Sequence, residues 1–91
     1  MAMKNNVATI IIDSEEGKIK YMIEGDGIVN VTLKNGSELK EVRVVGMNMM
    51  GNGIKAISNN DGLIEIPGNK IKSIDDAGKG KYPAVEKIIK H

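Results

Sequence analysis

The side chains that most often perform catalysis are nearly absent from this sequence. Its one histidine, His91, is the final residue, and there is no cysteine. A terminal imidazole is not easily oriented by surrounding structure, which argues against a nucleophile-base pair and against a histidine metal site. Without cysteine there are no disulfides, thiolate metal ligands or cysteine nucleophiles. We therefore predict that the protein is not an enzyme and uses no cofactor.

Acidic residues occur in two short groups. Asp13, Glu15 and Glu16 lie in one polar segment, and Asp75 and Asp76 are adjacent. Neighbouring acids in turns are commonly the solvated tips of hairpins, and neither spacing matches a calcium-binding loop. We predict no metal site.

Cations and amides are the remaining candidates for ligand contact. The residues that could meet a nucleic acid are Arg43, Lys55, Lys70, Lys72, Lys79 and Lys81, with Asn52 and Asn69 as base-reading amides. Residues 70–91 hold six Lys and three acids, a local charge of +3. The whole chain carries only +1, and its two Tyr are its only aromatic residues, so there is little surface on which bases could stack.

The run "GMNMMGNG" is rich in glycine and methionine. It lacks the Lys-Ser/Thr pair of a phosphate-binding loop, so we interpret it as a flexible β-loop. Met47, Met49 and Met50 cannot all point into one core if the strand is regular. They either form an adaptable contact surface or fill an irregular gap.

Short strands separated by turn residues must position these side chains. The predicted strands cover residues 7–12, 18–24, 29–34, 39–49, 54–58 and 63–66, and residues 71–74 form either a strand or a single helical turn. In the second strand Ile19, Tyr21 and Ile23 alternate with polar residues, which predicts one buried face.

Turn chemistry predicts where the strands reverse and bend. Asn35-Gly36 is a strong hairpin signal, and both residues tolerate the positive φ of a type I′ turn. The apolar pattern changes phase near Gly46, which predicts a bulge or a sharp bend. Strongly bent strands are how small barrels close.

The last part of the sequence reads as a linker followed by a helix. Pro83 suits a first helical turn, and Val85, Ile88 and Ile89 have i, i+3, i+4 spacing. We therefore predict a mainly β fold: a flexible N-terminus at 1–6, a barrel of five to six bent strands at 7–75, and a polar linker with a short C-terminal helix at 76–91.

The segment 29–74 resembles the Sm-like proteins. In "VNVTLKNGSELKEVRVVGMNMMGN" the order of alternating strand, Asn-Gly turn, second strand, glycine at the bend and loop ending in asparagine is similar to that family's first motif. Residues 67–69, followed by two isoleucines, resemble the turn of its second motif. Glu41 stands where the family usually has glycine, and Pro67 where it has arginine.

The resemblance implies an Sm-like or SH3-like small barrel that binds single-stranded RNA as a homo-oligomer. It places loop contacts at Asn48, Met50 and Asn52, and the later turn and its lysines add Gly68, Asn69, Lys70 and Lys72. The alternative is a protein-interaction or assembly module in which exposed edge strands pair between subunits. The sequence shows no secretory signal and no apolar run long enough to cross a membrane, so we expect a cytoplasmic protein without a membrane partner.

Overall fold

The computed structural model describes residues 6–15, 17–48, 53–80 and 83–90. Within these residues the chain forms eight β-strands in two antiparallel sheets, one 3-10 turn and no α-helix. The strands are β1 (Asn6–Ser14), β2 (Gly17–Glu24), β3 (Ile28–Leu33), β4 (Glu38–Asn48), β5 (Gly53–Ser58), β6 (Gly62–Ile66), β7 (Ile71–Asp76) and β8 (Val85–Lys90), and the 3-10 turn is Gly68–Lys70. The predicted mainly β fold is confirmed. Five to six strands is too few, because part of the chain builds a second sheet.

The two sheets take their strands from different parts of the sequence. The first has the order β1-β2-β8 and the second the order β6-β5-β4-β3-β7. A tight turn after β2 carries the chain from one sheet to the other, and in it the N–H of Gly27 donates to the carbonyl of Glu24 at 2.9 Å. Gly27 must be glycine, because an added Cβ would lie 2.7 Å from the Cβ of Ala84.

One hydrophobic core lies between the sheets. Ile19, Tyr21 and Ile23 are buried on β2 as predicted, while the residues between them are half-buried. Among the described residues, Tyr21 is the only aromatic member of the core, which is otherwise aliphatic. The core residues are Ala8, Ile10, Ile12, Ile19, Tyr21, Ile23, Val29, Val31, Val42, Val44, Ile54, Ala56, Ile66, Ile71, Ile74 and Ala84. Alternation of period two therefore places these side chains on facing surfaces.

The predicted C-terminal helix is wrong. Val85–Lys90 is strand β8, which pairs antiparallel with β2. A helix of so few residues makes too few hydrogen bonds to offset its nucleation, whereas β2 offers an open edge that an aliphatic strand completes. The N–H of Glu24 also donates to the carbonyl of Ala84 at 2.9 Å, just before β8 begins. The i, i+3, i+4 spacing cannot separate helix from strand over six residues.

β4 changes its register at two points. A shift between Val44 and Gly46, against β5, confirms the predicted bulge. At the second point Lys40 and Glu41 together face the single residue Asn30 of β3. Glu41 has a φ of +54°, and its N–H donates to Oδ1 of Asn30 at 2.9 Å. The first half of β4 thus pairs with β3 and the second half with β5.

The Asn35-Gly36 hairpin is confirmed, but its type I′ geometry is wrong. Only Gly36, with a φ of +93°, lies in the left-handed region. Its N–H donates to the carbonyl of Leu33 at 3.0 Å, and the N–H of Leu33 donates to the carbonyl of Ser37 at 2.8 Å. This is a type I turn followed by a left-handed glycine, a common hairpin connection. Oδ1 of Asn35 accepts a hydrogen bond from the N–H of Ser37 at 2.9 Å, so Asn35 stabilises the turn through its side chain.

The second sheet ends in β7. Residues 71–74, for which the sequence allowed a strand or a helical turn, therefore form part of a strand. β6 and β7 are the two edge strands of this sheet. They are joined only by Pro67 and the 3-10 turn, in which the N–H of Lys70 donates to the carbonyl of Pro67 at 3.0 Å.

Candidate functional site

Of the segment after the bend of β4 that the sequence assigns to RNA, the structure describes Asn48 but not residues 49–52. Asn48 ends β4 opposite Gly53, the first residue of β5, and its exposed fraction is only 8%. Met50 and Asn52 lie outside the described residues. Asn48 is thus a buried residue at the end of β4.

Gly53, the first residue of β5, lies against the later turn. A Cβ built on Gly53 would lie 2.2 Å from the carbonyl oxygen of Ile66 and 3.0 Å from both the nitrogen of Gly68 and the Cα of Pro67. The backbones therefore touch where any side chain would separate them. The structure brings Asn48 and Gly68, which are twenty residues apart in sequence, to one corner of the second sheet.

The predicted residues of the later turn divide by burial. Gly68 is buried, while Asn69, Lys70 and Lys72 are exposed. The turn is held to the β3–β4 hairpin, because the N–H of Lys34 donates to the carbonyl of Lys70 at 2.9 Å. Two lysines from distant segments are therefore neighbours.

A third segment adds another lysine at this end. Nζ of Lys18 lies 2.8 Å from Oδ1 of Asp13. The two residues face each other next to the turn of the β1–β2 hairpin. The hydrogen bond from Lys18, its positive charge and the charge of Lys34 together hold the pKa of Asp13 below its ordinary value. β1 contacts both β4 and the 3-10 turn, so the β1–β2 hairpin lies beside the β3–β4 hairpin.

We call Lys18, Lys34, Lys70 and Lys72 the basic end. The sequence analysis found Lys70 and Lys72 but missed Lys18 and Lys34. Their only signal is that each stands at a predicted hairpin turn, and nothing in their spacing reveals that two hairpins and a 3-10 turn meet. The structure joins the backbones of Lys34 and Lys70 and places Lys18, which is paired with Asp13, on the neighbouring hairpin, while Lys72 lies two residues beyond Lys70 on β7.

A second candidate lies on the outer face of the second sheet. This outer groove has a volume of about 460 Å³ and is lined by Ile28, Glu41, Arg43, Ile57, Asn59 and Lys79. Strand pairing sets Ile28 beside Arg43, Arg43 beside Ile57, and Ile57 beside Leu63. One row thus crosses four strands, and Ile57 and Leu63 in it are 36% and 62% exposed.

The charges of the outer groove are unevenly paired. Nζ of Lys79 lies 3.7 Å from Oε2 of Glu41. Arg43 forms no ion pair with any residue that the structure describes. Arg43 and Lys79 were predicted as nucleic-acid contacts, but they lie here beside aliphatic side chains; Lys81 is outside the described residues.

The described residues contain no group of three or more His, Cys, Asp or Glu that could hold a metal ion. In the same part of the chain, no helix has the length and apolar character needed to cross a membrane. Comparison of the chain with models of protein families, with curated proteins and with solved structures finds no match.

Proposed function

We propose that the protein is a non-enzymatic small-barrel binding module that holds single-stranded RNA at its basic end. The observation that carries the proposal is that the backbone of Lys34 is bonded to that of Lys70, while β1 of the hairpin that carries Lys18 contacts the same 3-10 turn. Lysines clustered on one end of a domain are the electrostatic footprint of a phosphate-binding surface.

The link between β6 and β7 supports the barrel. Five strands spaced about 4.8 Å apart would hold the edges of a flat sheet about 19 Å apart. Only Pro67 and the compact Gly68–Lys70 turn separate the two edge strands, so the sheet has to curl. The two register shifts of β4 provide the bends that such curling needs.

Glu41 bears on the resemblance to the Sm-like proteins. It stands where that family usually has glycine, and its φ of +54° is one that favours glycine. The side chain departs from the family pattern, but the left-handed backbone at this position is one that glycine adopts readily. This agreement supports the proposed architecture.

The chemistry of the basic end limits the kind of binding expected. Lysine ammonium groups neutralise phosphates as point charges, and Asn69 is exposed beside them for a hydrogen bond to a base. The core uses Tyr21, one of only two aromatic residues, so it is not available for stacking. We expect weak binding that depends strongly on salt and little on sequence.

The test is a fluorescence-anisotropy titration of labelled oligo-U and oligo-A at low salt, repeated at increasing salt. We expect saturable binding, and the double variant Lys34→Gln/Lys70→Gln should reduce the slope of log K against log salt by about 1.4, which is about 0.7 for each lost phosphate contact. A charge-matched control, Lys40→Gln/Lys87→Gln, changes two exposed lysines outside the basic end that were not predicted to contact nucleic acid, and it should retain the wild-type slope.

Two results would overturn the proposal. One is the absence of saturable binding to either oligonucleotide. The other is equal competition by heparin and by oligo-U at matched charge, which would show an unspecific polyanion surface. Circular dichroism of each variant confirms that the fold is retained.

The second candidate function is assembly through edge strands. Of the described strands, β1 and β8 are the edges of the first sheet and β6 and β7 those of the second. Edge strands present unpaired backbone groups that can join a second subunit. Light scattering at high concentration should then give a multiple of the 9.8 kDa chain mass, and a strict monomer would reject the homo-oligomer.

A further inference from the structure

The outer groove has a chemistry that the RNA proposal does not use. Its floor alternates aliphatic, cationic and aliphatic side chains: Ile28, Arg43 and Ile57. Leu63 extends this row to the edge strand β6, and it is the most exposed of the large apolar side chains that the structure describes.

Among the described residues of the outer groove, the guanidinium of Arg43 is the charged group without an ion pair. Lys79 is paired with Glu41 at 3.7 Å, and no described acid is paired with Arg43. Arginine binds a carboxylate through two parallel hydrogen bonds, and the neighbouring aliphatic side chains would strengthen that contact by excluding water. Because Arg43 is the one cation of the groove without an ion pair among the described residues, a singly charged carboxylate matches it better than a doubly charged phosphate.

The length of the row indicates what kind of molecule the occupant is. Four strands spaced about 4.8 Å apart give a row about 14 Å long, which is about four residues of extended peptide. A small carboxylic acid would cover Arg43 but leave Leu63 exposed. We propose that the outer groove binds an extended segment of a partner protein in which an acidic residue lies beside aliphatic residues.

The experiment is a selection from a display library of random linear peptides on the wild-type protein, without assuming a ligand. The expected result is enrichment of sequences with Asp or Glu next to Leu, Ile or Val. An enriched peptide, synthesised with a fluorescent label, should bind Arg43→Gln about 10- to 100-fold more weakly than wild type, the range for losing a charge-assisted hydrogen bond.

Matched variants separate the groove from the rest of the surface. Leu63→Thr should weaken the same peptide, whereas Ile11→Thr, which changes an exposed isoleucine of the other sheet, should not. Lys87→Gln is the matched control for the charge. Amide shifts in an NMR titration should be largest at Ile28, Arg43 and Ile57.

Three results would overturn this inference: no enriched acidic-aliphatic pattern, unchanged peptide affinity in Arg43→Gln, or loss of oligo-U binding in Arg43→Gln. The last result would assign the groove to RNA instead of protein. The inference does not depend on the basic end. The variant Lys34→Gln/Lys70→Gln should therefore leave peptide affinity unchanged. Failure of one proposal is therefore distinguishable from failure of the other.

Discussion

Replacing Gly53 by alanine should lower the stability of the fold strongly, although it adds only one methyl group. Replacement by alanine adds one methyl group 2.2 Å from the carbonyl oxygen of Ile66 and 3.0 Å from backbone atoms of Pro67 and Gly68. All three atoms belong to the main chain, so no side-chain rotation can relieve the contact. The strands must separate by about 1 Å to restore ordinary contact distances, a displacement of the kind that overpacking forces on a core.

That displacement gives an estimate of the cost of Gly53→Ala. Overpacking costs about 1–3 kcal/mol, and weakening the adjacent Ile54–Ile66 backbone pairing adds about 1 kcal/mol. We therefore expect a loss of about 3 kcal/mol in the free energy of unfolding. In a domain of this size each kcal/mol shifts Tm by about 4–8 °C, so Tm should fall by about 12–24 °C.

Gly46→Ala is the matched control for the same assay. Gly46 also lies at an irregular point of a strand, but no heavy atom lies within 4 Å of an added Cβ and its φ is not in the left-handed region. Its stability should stay within about 1 kcal/mol of wild type, with alanine slightly favoured. Urea unfolding followed by circular dichroism measures both variants, and similar stabilities for Gly53→Ala and Gly46→Ala would refute the contact.

Three further predictions concern single residues. Glu41→Gly should be about 1 kcal/mol more stable than Glu41→Ala in urea unfolding, because the φ of +54° disfavours a Cβ. Lys40 lies outside the left-handed region, so Lys40→Ala should be more stable than Lys40→Gly. The same order of stability at both sites would contradict the bulge. Tyr21→Phe should raise the free energy of unfolding by about 1 kcal/mol, because the buried hydroxyl has no hydrogen-bond partner among the described residues; a loss of stability would show that the hydroxyl is bonded. Carbon-13 NMR should give Asp13 a pKa below its ordinary value, and Lys18→Gln should raise it. Because the folded pKa is lowered, the ion pair stabilises at neutral pH and is lost as the pH falls through that pKa; an unchanged Asp13 pKa in Lys18→Gln would exclude the pair.

The parts of the fold that local pattern controls could be predicted from the sequence. The alternation of Ile19, Tyr21 and Ile23 correctly identified a strand with one buried face, and the phase change near Gly46 correctly identified a bulge. Both signals depend only on period-two geometry and on residues near each other in the chain.

The C-terminal strand could not be predicted in this way. Helix and strand are both compatible with the spacing of Val85, Ile88 and Ile89, and the choice depends on β2, more than sixty residues earlier, having a free edge. Local propensity is overridden when such a tertiary pairing is available. The bulge at Glu41 escaped prediction for a similar reason, since it requires the side chain of Asn30 on the neighbouring strand.

The candidate sites show the same limit. Lys70 and Lys72 were identified as cations close together in sequence, whereas Lys18 and Lys34 join them only through the packing of two hairpins. The outer groove was missed because its row is made of residues that pair across strands. The spacing of residues along the chain does not determine which residues of distant strands face each other.

An NMR titration of isotope-labelled protein with oligo-U tests the central claim most directly, because it locates binding residue by residue. The proposed function predicts that the amide signals of Lys18, Lys34 and Lys70 shift together and saturate at one midpoint, while those of Arg43 and Ile57 stay in place. Shifts concentrated at Arg43 and Ile57, or no saturable shift at the three lysines, would contradict it.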